Sequence, residues 1–279
     1  MILAKYSPSV SYFTYLQNTL ISELLLKSRD KKEEFLKIAS GEAYGTIVHD
    51  LYLNFNQEIT LNNSRLYGTN NYVTLPDAEL HLVLSRSGSS SHLIIAKPSR
   101  VTLRKPLGLR GLSFGAASYD EEIKDEQNIL NEAESFLQNH LFETADQIAA
   151  IAIGMSEAAI EKAIEYSKER KAFESYLYEF QPISAVLIEI KGKIEELKKA
   201  LLLAESVQDK LSLKLNSLET ARIASRVALQ IHGGYGYLED LGVERYYRDS
   251  MHLSILTSNY LKEIKALSKD IISPEAFKI

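Results

Sequence analysis

Any chemistry in this chain proceeds without thiolates or disulfides, because its 279 residues include no cysteine. The six histidines (His49, His81, His92, His140, His232 and His252) show no ligand spacing such as His-x-x-x-His, so a protein-held metal is not expected. The stretch from Gln230 to Ser250, QIHGGYGYLEDLGVERYYRDS, is the most pointed constellation. Gly233, Gly234 and Gly236 fall within four residues, and Glu244, Arg245, Arg248 and Asp249 crowd together behind them. Glycines just past a helix end adopt positive φ, close the helix and leave backbone N–H groups uncovered. The same glycines also make a helix corner that binds nothing, and the pattern alone does not separate the two. Arg245, Arg248 and Asp249 read as ion pairs that hold the fold, and Tyr235 and Tyr237 as packing residues. A general base is harder to find. The following residues, MHLSILTSN, offer hydroxyls and an amide but no carboxylate, and a neutral hydroxyl does not accept a proton near pH 7.

The elements that position these groups follow from periodicity. A net charge of −5 gives no general attraction to nucleic acid or an anionic membrane, and no apolar run approaches the ~20 residues of a membrane span. The start, MILAKYSPSVSYF, lacks the order of a secretory signal, and the cysteine- and tryptophan-free composition fits a thermophilic cytoplasm. Residues 11–40 predict a helix, a charged solvated turn at RDKKEE and a short helix, with Leu16, Leu20 and Leu24 recurring every four positions beside Ile21 and Leu25. From about Gly41 the texture becomes that of strands. Leu51, Leu53 and Phe55 alternate with polar residues, Asn62-Asn63-Ser64 signals a turn, and LHLVLSRSGSSSHLIIA predicts a hairpin with a Gly/Ser tip. After about Asp120 the chain reads as helix throughout. Leu187, Ile190, Ile194, Leu197, Leu201 and Ala204 form a bundle seam, and Ala/Gly-rich faces lie at ADQIAAIAIGMSEAAIEKAIEY and at Ala221, Ala224 and Ala228. Tyr260, Ile264, Leu267 and Ile271 make the stripe of the last helix. The expected class is α+β. Remnant N-terminal helices (1–40) precede a small β-barrel or sandwich-like middle domain (41–122), and an up-down four-helix bundle (123–279) follows.

Three stretches in this order resemble the acyl-CoA dehydrogenase family, flavoproteins that desaturate acyl-CoA thioesters between Cα and Cβ. GMSEAAIEKAIEYSKERKAFESYLYEFQPIS is similar to the family's helix ending in Glu-Arg-x-x-Phe-Gly with a downstream Gln. ALQIHGGYGYLEDLGVERYYRDS is similar to its Gln-x-x-Gly-Gly-x-Gly and Arg-Asp motif. KPLGLRGLSFGAASYD resembles the strands before the bundle, and LNNSRLYGTN, more faintly, the strand beside the flavin. The resemblance runs from about Glu34 to the C-terminus. It implies FAD as cofactor, with Gln230, Gly233 and Gly234 against its ADP half and Arg170, Phe173 and Gln181 reaching the cofactor of a neighbouring subunit. Arg170 is chemically suited to pyrophosphate and Phe173 to packing near it. Tyr67 and Thr69 would stand beside the isoalloxazine, although an ordinary strand and turn explain them equally well.

The chain also departs from the family pattern. Only about forty residues precede the β region, where the family places several helices that enclose the acyl chain. The Thr-Glu-Pro-x-Ala-Gly-Ser-Asp loop is replaced by YGTIVHDLYLNFNQEI, which lacks the Gly-Ser pair. Glu174 stands in place of the Gly after Phe. Counting nine residues from Arg248 puts Thr257, followed by Ser258 and Asn259, where most members carry the catalytic Glu. The alternative base position, ten residues before Gly154, is Thr144. Glu143 is adjacent, but one helical step turns it by ~100°. Three expectations follow. The chain is a catalytically degenerate subunit that assembles with itself or with a full-length relative; or an active FAD enzyme oxidising acyl-CoA with its base at Glu143 or supplied in trans; or a free-standing binding protein for acyl-CoA or nucleotide. Retention of the assembly and ADP side, with loss of the reacting side, favours the first. No nucleic acid, membrane or metal enters any of the three.

Overall fold

The computed structural model describes residues 1–28, 31–52, 59–124 and 127–271. It divides into two compact units, one of Tyr12–Pro106 with Arg110–Phe142 and one of Met1–Ser11 with Leu107–Leu109 and Glu143–Ile279. The segments expected from sequence run along the chain, whereas each unit gathers separated stretches of it. No helix among the described residues is long and apolar enough to cross a membrane.

In the unit of Tyr12–Pro106 and Arg110–Phe142, Leu16, Leu20, Ile21, Leu24 and Leu25 are all buried, as their spacing predicts. Leu16–Ile21 winds as a π-turn that leads into a helix over Ser22–Lys27. The turn frees the Gln17 side chain to bond both the N–H and the C=O of Gly45, at 2.8 and 2.9 Å. In RDKKEE, Arg29 and Asp30 lie outside the described residues. Lys31 is buried against expectation, and Glu33 and Glu34 open the helix Lys32–Ser40 where its dipole favours them.

Among the described residues the sheet has eight strands: β1 (Gly45–Val48), β2 (Thr60–Asn62), β3 (Arg65–Thr74), β4 (Leu80–Ser87), β5 (Ser90–Ala96), β6 (Arg100–Arg104), β7 (Phe114–Glu122) and β8 (Asn128–Asn131). Their order is β6-β7-β3-β2-β4-β5-β8, with β1 parallel to β4. Among the described residues the path stays open and no barrel closes. Leu66, Val73, Val83, Ile94, Ala117 and Tyr119 form its core. The predicted hairpin is β4–β5, paired from His81↔Ala96 to Ser87↔Ser90. The Asn62-Asn63-Ser64 turn links β2 to β3, with Asn63 and Ser64 at positive φ. Leu51 lies in a bend instead of the expected strand, and Leu53 and Phe55 lie outside the described residues. Helix also starts later than Asp120: β7 continues to Glu122 and β8 follows before α5 (Ala133–Glu143). Runs this short carry no period that sequence reading can detect.

The unit of Met1–Ser11, Leu107–Leu109 and Glu143–Ile279 is built on α6 (Ala145–Glu169), α7 (Gln181–Leu203) and α8 (Val207–His232). Leu187, Ile190, Ile194 and Leu197 are buried along the α7 seam, and Ala221, Ala224 and Ala228 along α8. On α6 the missing side chain of Gly154 lets the backbone of α1 (Ile2–Tyr6) approach, with Met1 and Ala4 against it. The expected last helix is α10 (Tyr260–Ile271), and a further helix, α9 (Glu244–Thr257), precedes it. Of the predicted stripe, the side chain of Ile271 lies outside the described residues. Tyr260 is exposed, Ile264 and Leu267 are half-buried, and the residue sealed in the core is Glu263.

Candidate functional site

At the end of α8 the chain meets the problem every helix end poses, carbonyls without partners. Gly233 answers it with φ +57° and ψ −135°, a conformation open to glycine alone, and its N–H bonds the Gln230 carbonyl. A tight turn over Gly233–Tyr237 follows. Gly236 is buried where a Cβ would strike the Leu229 carbonyl, so its role is packing. Gly233 and Gly234 differ. Nothing of the chain lies within 4 Å of a Cβ built on either. The missing side chains therefore leave open space that the fold itself does not require.

That space belongs to a cavity of about 390 Å³ lined by Tyr166 and Arg170 of the α6 end, Leu177, and Ile231–Tyr235 with Leu238. Arg170 is exposed and its guanidinium has no partner among the described residues. A free fork of N–H donors beside uncovered backbone suits a diphosphate. The apolar and aromatic remainder suits a flat ring. On these grounds the residues present fit the nucleotide half of a dinucleotide cofactor.

The other expected residues scatter around this cavity. Phe173 and Glu174 form the tip of a hairpin, β9 (Lys171–Ala172) and β10 (Ser175–Tyr176), and both tip residues sit at positive φ, +52° and +70°. Such a turn favours glycine and asparagine; for other residues the left-handed region costs about 1–2 kcal/mol each. Phe173 is 95% exposed, reaching away from its own unit. Gln181 opens α7 and Gln230 lies in the last turn of α8, both exposed and neither lining the cavity. Tyr67 and Thr69 project from one face of β3 in the sheet unit. Tyr67 is exposed, and the Thr69 hydroxyl bonds Ser118 Oγ at 2.9 Å. Tyr235 and Tyr237 are exposed, contrary to a packing role, because the turn carries them outward. Arg248 pairs with Glu244 at 2.8 Å as expected, but Asp249 is buried and accepts the Leu109 N–H at 2.6 Å, and Arg245 turns to the Tyr246 hydroxyl. Burial raises the Asp249 carboxyl against the pull of that N–H.

The positions expected to hold a base hold none. Thr257 closes α9, 2% exposed, its hydroxyl donating to the Leu253 carbonyl at 2.7 Å. Its own carbonyl accepts from Lys214 Nζ at 2.7 Å, and Lys214 also bonds Glu263 Oε1 at 2.8 Å. Ser258 donates to the second oxygen of Glu263, and the Asn259 N–H to the first. Both charged side chains are fully buried. The carboxylate near the base position is thus committed to neutralising a buried lysine. Thr144, the residue before α6, is buried. Its backbone (φ −102°, ψ 13°) interrupts the helix, so Glu143, exposed at the end of α5, is not held to the ~100° step of a continuous helix.

The description "Acyl-CoA dehydrogenase, C-terminal domain" matches residues 137–264. Residues 137–264 belong to the acyl-CoA dehydrogenase family, as its C-terminal domain. Among curated proteins it is 32% identical over 181 residues to subunit CarC of the caffeyl-CoA reductase-Etf complex of Acetobacterium woodii, covering 58% of this chain and 46% of that one. It is 27% identical over 239 residues to cyclohexane-1-carbonyl-CoA dehydrogenase of Geobacter metallireducens, covering 78% and 62%. The match to each therefore spans less than two thirds of the relative. The fold is shared with butyryl-CoA dehydrogenase of Megasphaera elsdenii, with a TM-score of 0.84 at 21% identity over 95% of this chain and 78% of that one.

Two features of this acyl-CoA dehydrogenase relative escaped sequence reading. Lys214 follows Leu211 and precedes Leu218 and Ala221 at 3-4-3 spacing, so a cation on an apolar seam was the available signal. His232 lines the cavity, its ring stacked on Tyr166 with centroids 4.3 Å apart. No local pattern announces a pairing between two helices.

Proposed function

We propose that the chain is a catalytically degenerate subunit of acyl-CoA dehydrogenase type. It presents the cavity beside Arg170, Gly233 and Gly234 to the ADP half of FAD, and it assembles with a second copy or with a full-length relative. The observation that carries this reading is the pairing of Glu263 with Lys214 beside Thr257, which leaves the family's base position without a free carboxylate. FAD, when bound, supplies an acceptor for the hydride leaving Cβ; removal of the α-proton falls to a protein carboxylate. This chain's own contributions are anion binding by Arg170 and backbone contact at the glycines, with Phe173 and Gln181 directed to a neighbouring subunit. A relative named as part of an Etf complex supports membership in a larger assembly. We place the protein in the cytoplasm, where acyl-CoA thioesters are available to such an assembly.

The break at Thr144 favours one second reading, an active FAD enzyme in which the exposed Glu143 removes the α-proton. The visible absorbance of purified protein separates the two. The degenerate subunit is colourless alone, or yellow but inert to acyl-CoA under anaerobic conditions, and gains flavin on co-expression with a full-length relative. A yellow preparation of this chain alone that acyl-CoA bleaches sinks the first reading. Loss of that bleaching in Glu143→Gln establishes the second.

A further inference from the structure

The cavity contains a nitrogen for which the chain has no use. His232, the last residue of α8, is 5% exposed. Its Nδ1 lies 2.7 Å from the Ala228 carbonyl oxygen, and a carbonyl only accepts, so Nδ1 carries the proton. In the neutral ring the lone pair is then on Nε2, on the edge turned away from Ala228. Burial holds this imidazole below its ordinary pKa, which keeps it neutral at pH 7. Nε2 bonds to nothing among the described residues, yet it is absent from the unpaired polar atoms sealed inside the fold. Nε2 is therefore not sealed in the fold, and His232 lines the cavity.

An unpaired acceptor there selects for a ligand that brings a proton donor. The diphosphate brings none and belongs with Arg170 and the glycine backbone. Besides His232 the cavity is lined by Tyr166, stacked on it, and by Leu177, Ile231, Tyr235 and Leu238, a surface for a flat ring. A flat ring with a donor on its edge satisfies both conditions. We propose that His232 is a specificity-determining residue whose Nε2 accepts a hydrogen bond from the exocyclic amine of an adenine ring. The proposal rests on the reading of this cavity as a nucleotide site and adds to it the group that reads the base.

The test is calorimetric titration of the full chain with ADP and with purine riboside diphosphate, which differs from ADP only by a hydrogen in place of the amine. A buried acceptor left without its donor weakens binding by about 10-fold, so ADP binds tighter by about that ratio. In His232→Leu the ratio falls to about one. In His232→Gln, which keeps an acceptor, part of the preference survives. Circular dichroism and melting confirm that each variant folds. Equal affinities of the native chain for the two nucleotides overturn the assignment and leave the nucleotide site standing; so does a native ratio retained in His232→Leu. Binding of neither nucleotide overturns the nucleotide reading itself, and the assignment with it.

Discussion

Lys214 is fully buried, and burial lowers its pKa against the pull of Glu263. A lysine is retained at such a place because Glu263 and the Thr257 carbonyl take up its charge and donors, at 2.8 and 2.7 Å. Together they join the end of α9 to Glu263 of α10 across the break at Ser258–Asn259. Removing one partner leaves the other charged and alone in the core. Lys214→Met is therefore expected to lower unfolding stability by about 3–5 kcal/mol, whereas Lys214→Met with Glu263→Leu recovers most of it. Denaturant titration of the two variants checks this, and a double variant no better than the single one contradicts it. The carboxylate in that region serves the fold, and Thr257 caps its own helix through Leu253.

Among the elements, α1, α6 and α7 are tied by Glu157, which accepts from Lys5 at 2.9 Å, from Lys191 at 3.3 Å and, closer still, from Lys198. Burial alone would raise this carboxyl, but the hydrogen bonds from the three lysines outweigh it and carry it down to about 2 from an ordinary 4.5. A carboxylate depressed on folding contributes stability that is complete above the unfolded pKa and is lost as pH falls through the folded one. Thermal melts should therefore show stability falling between about pH 4.5 and 2, with that part of the slope missing in Glu157→Gln; parallel pH profiles would refute the assignment. Of the helices that Glu157 joins, α6 and α7 were legible in the sequence because leucine and alanine recur along them with the helical period; α1, five residues long, was not. β8 and the two-residue strands of the 171–176 hairpin were not, since two to four residues show no period. The glycine corner was legible because its residues are adjacent in the chain. Its partner Tyr166 was not, because only the packing of α6 on α8 brings it to His232.

For the whole molecule the question is what the outward-facing aromatics do. Phe173 is 95% exposed on a turn that puts two residues in the left-handed region, and Tyr237 is 86% exposed. A fold that accepts about 1–2 kcal/mol of backbone strain per residue to present a phenyl ring gains nothing from it as a single chain. A partner that covers the ring returns about 1.5–3 kcal/mol, on the order of 10- to 100-fold in affinity. The reading as an assembling subunit thus makes Phe173 the residue at which association and folding separate. Phe173→Ser should leave the melting temperature unchanged, because the ring is almost wholly in water already. It should weaken association with a second copy or a full-length relative by about one to two powers of ten. Light scattering at micromolar concentration, on the chain alone and mixed with that relative, measures both. A native chain that stays monomeric in both experiments removes the reason for the exposed ring and, with it, the claim that this scaffold was kept for assembly.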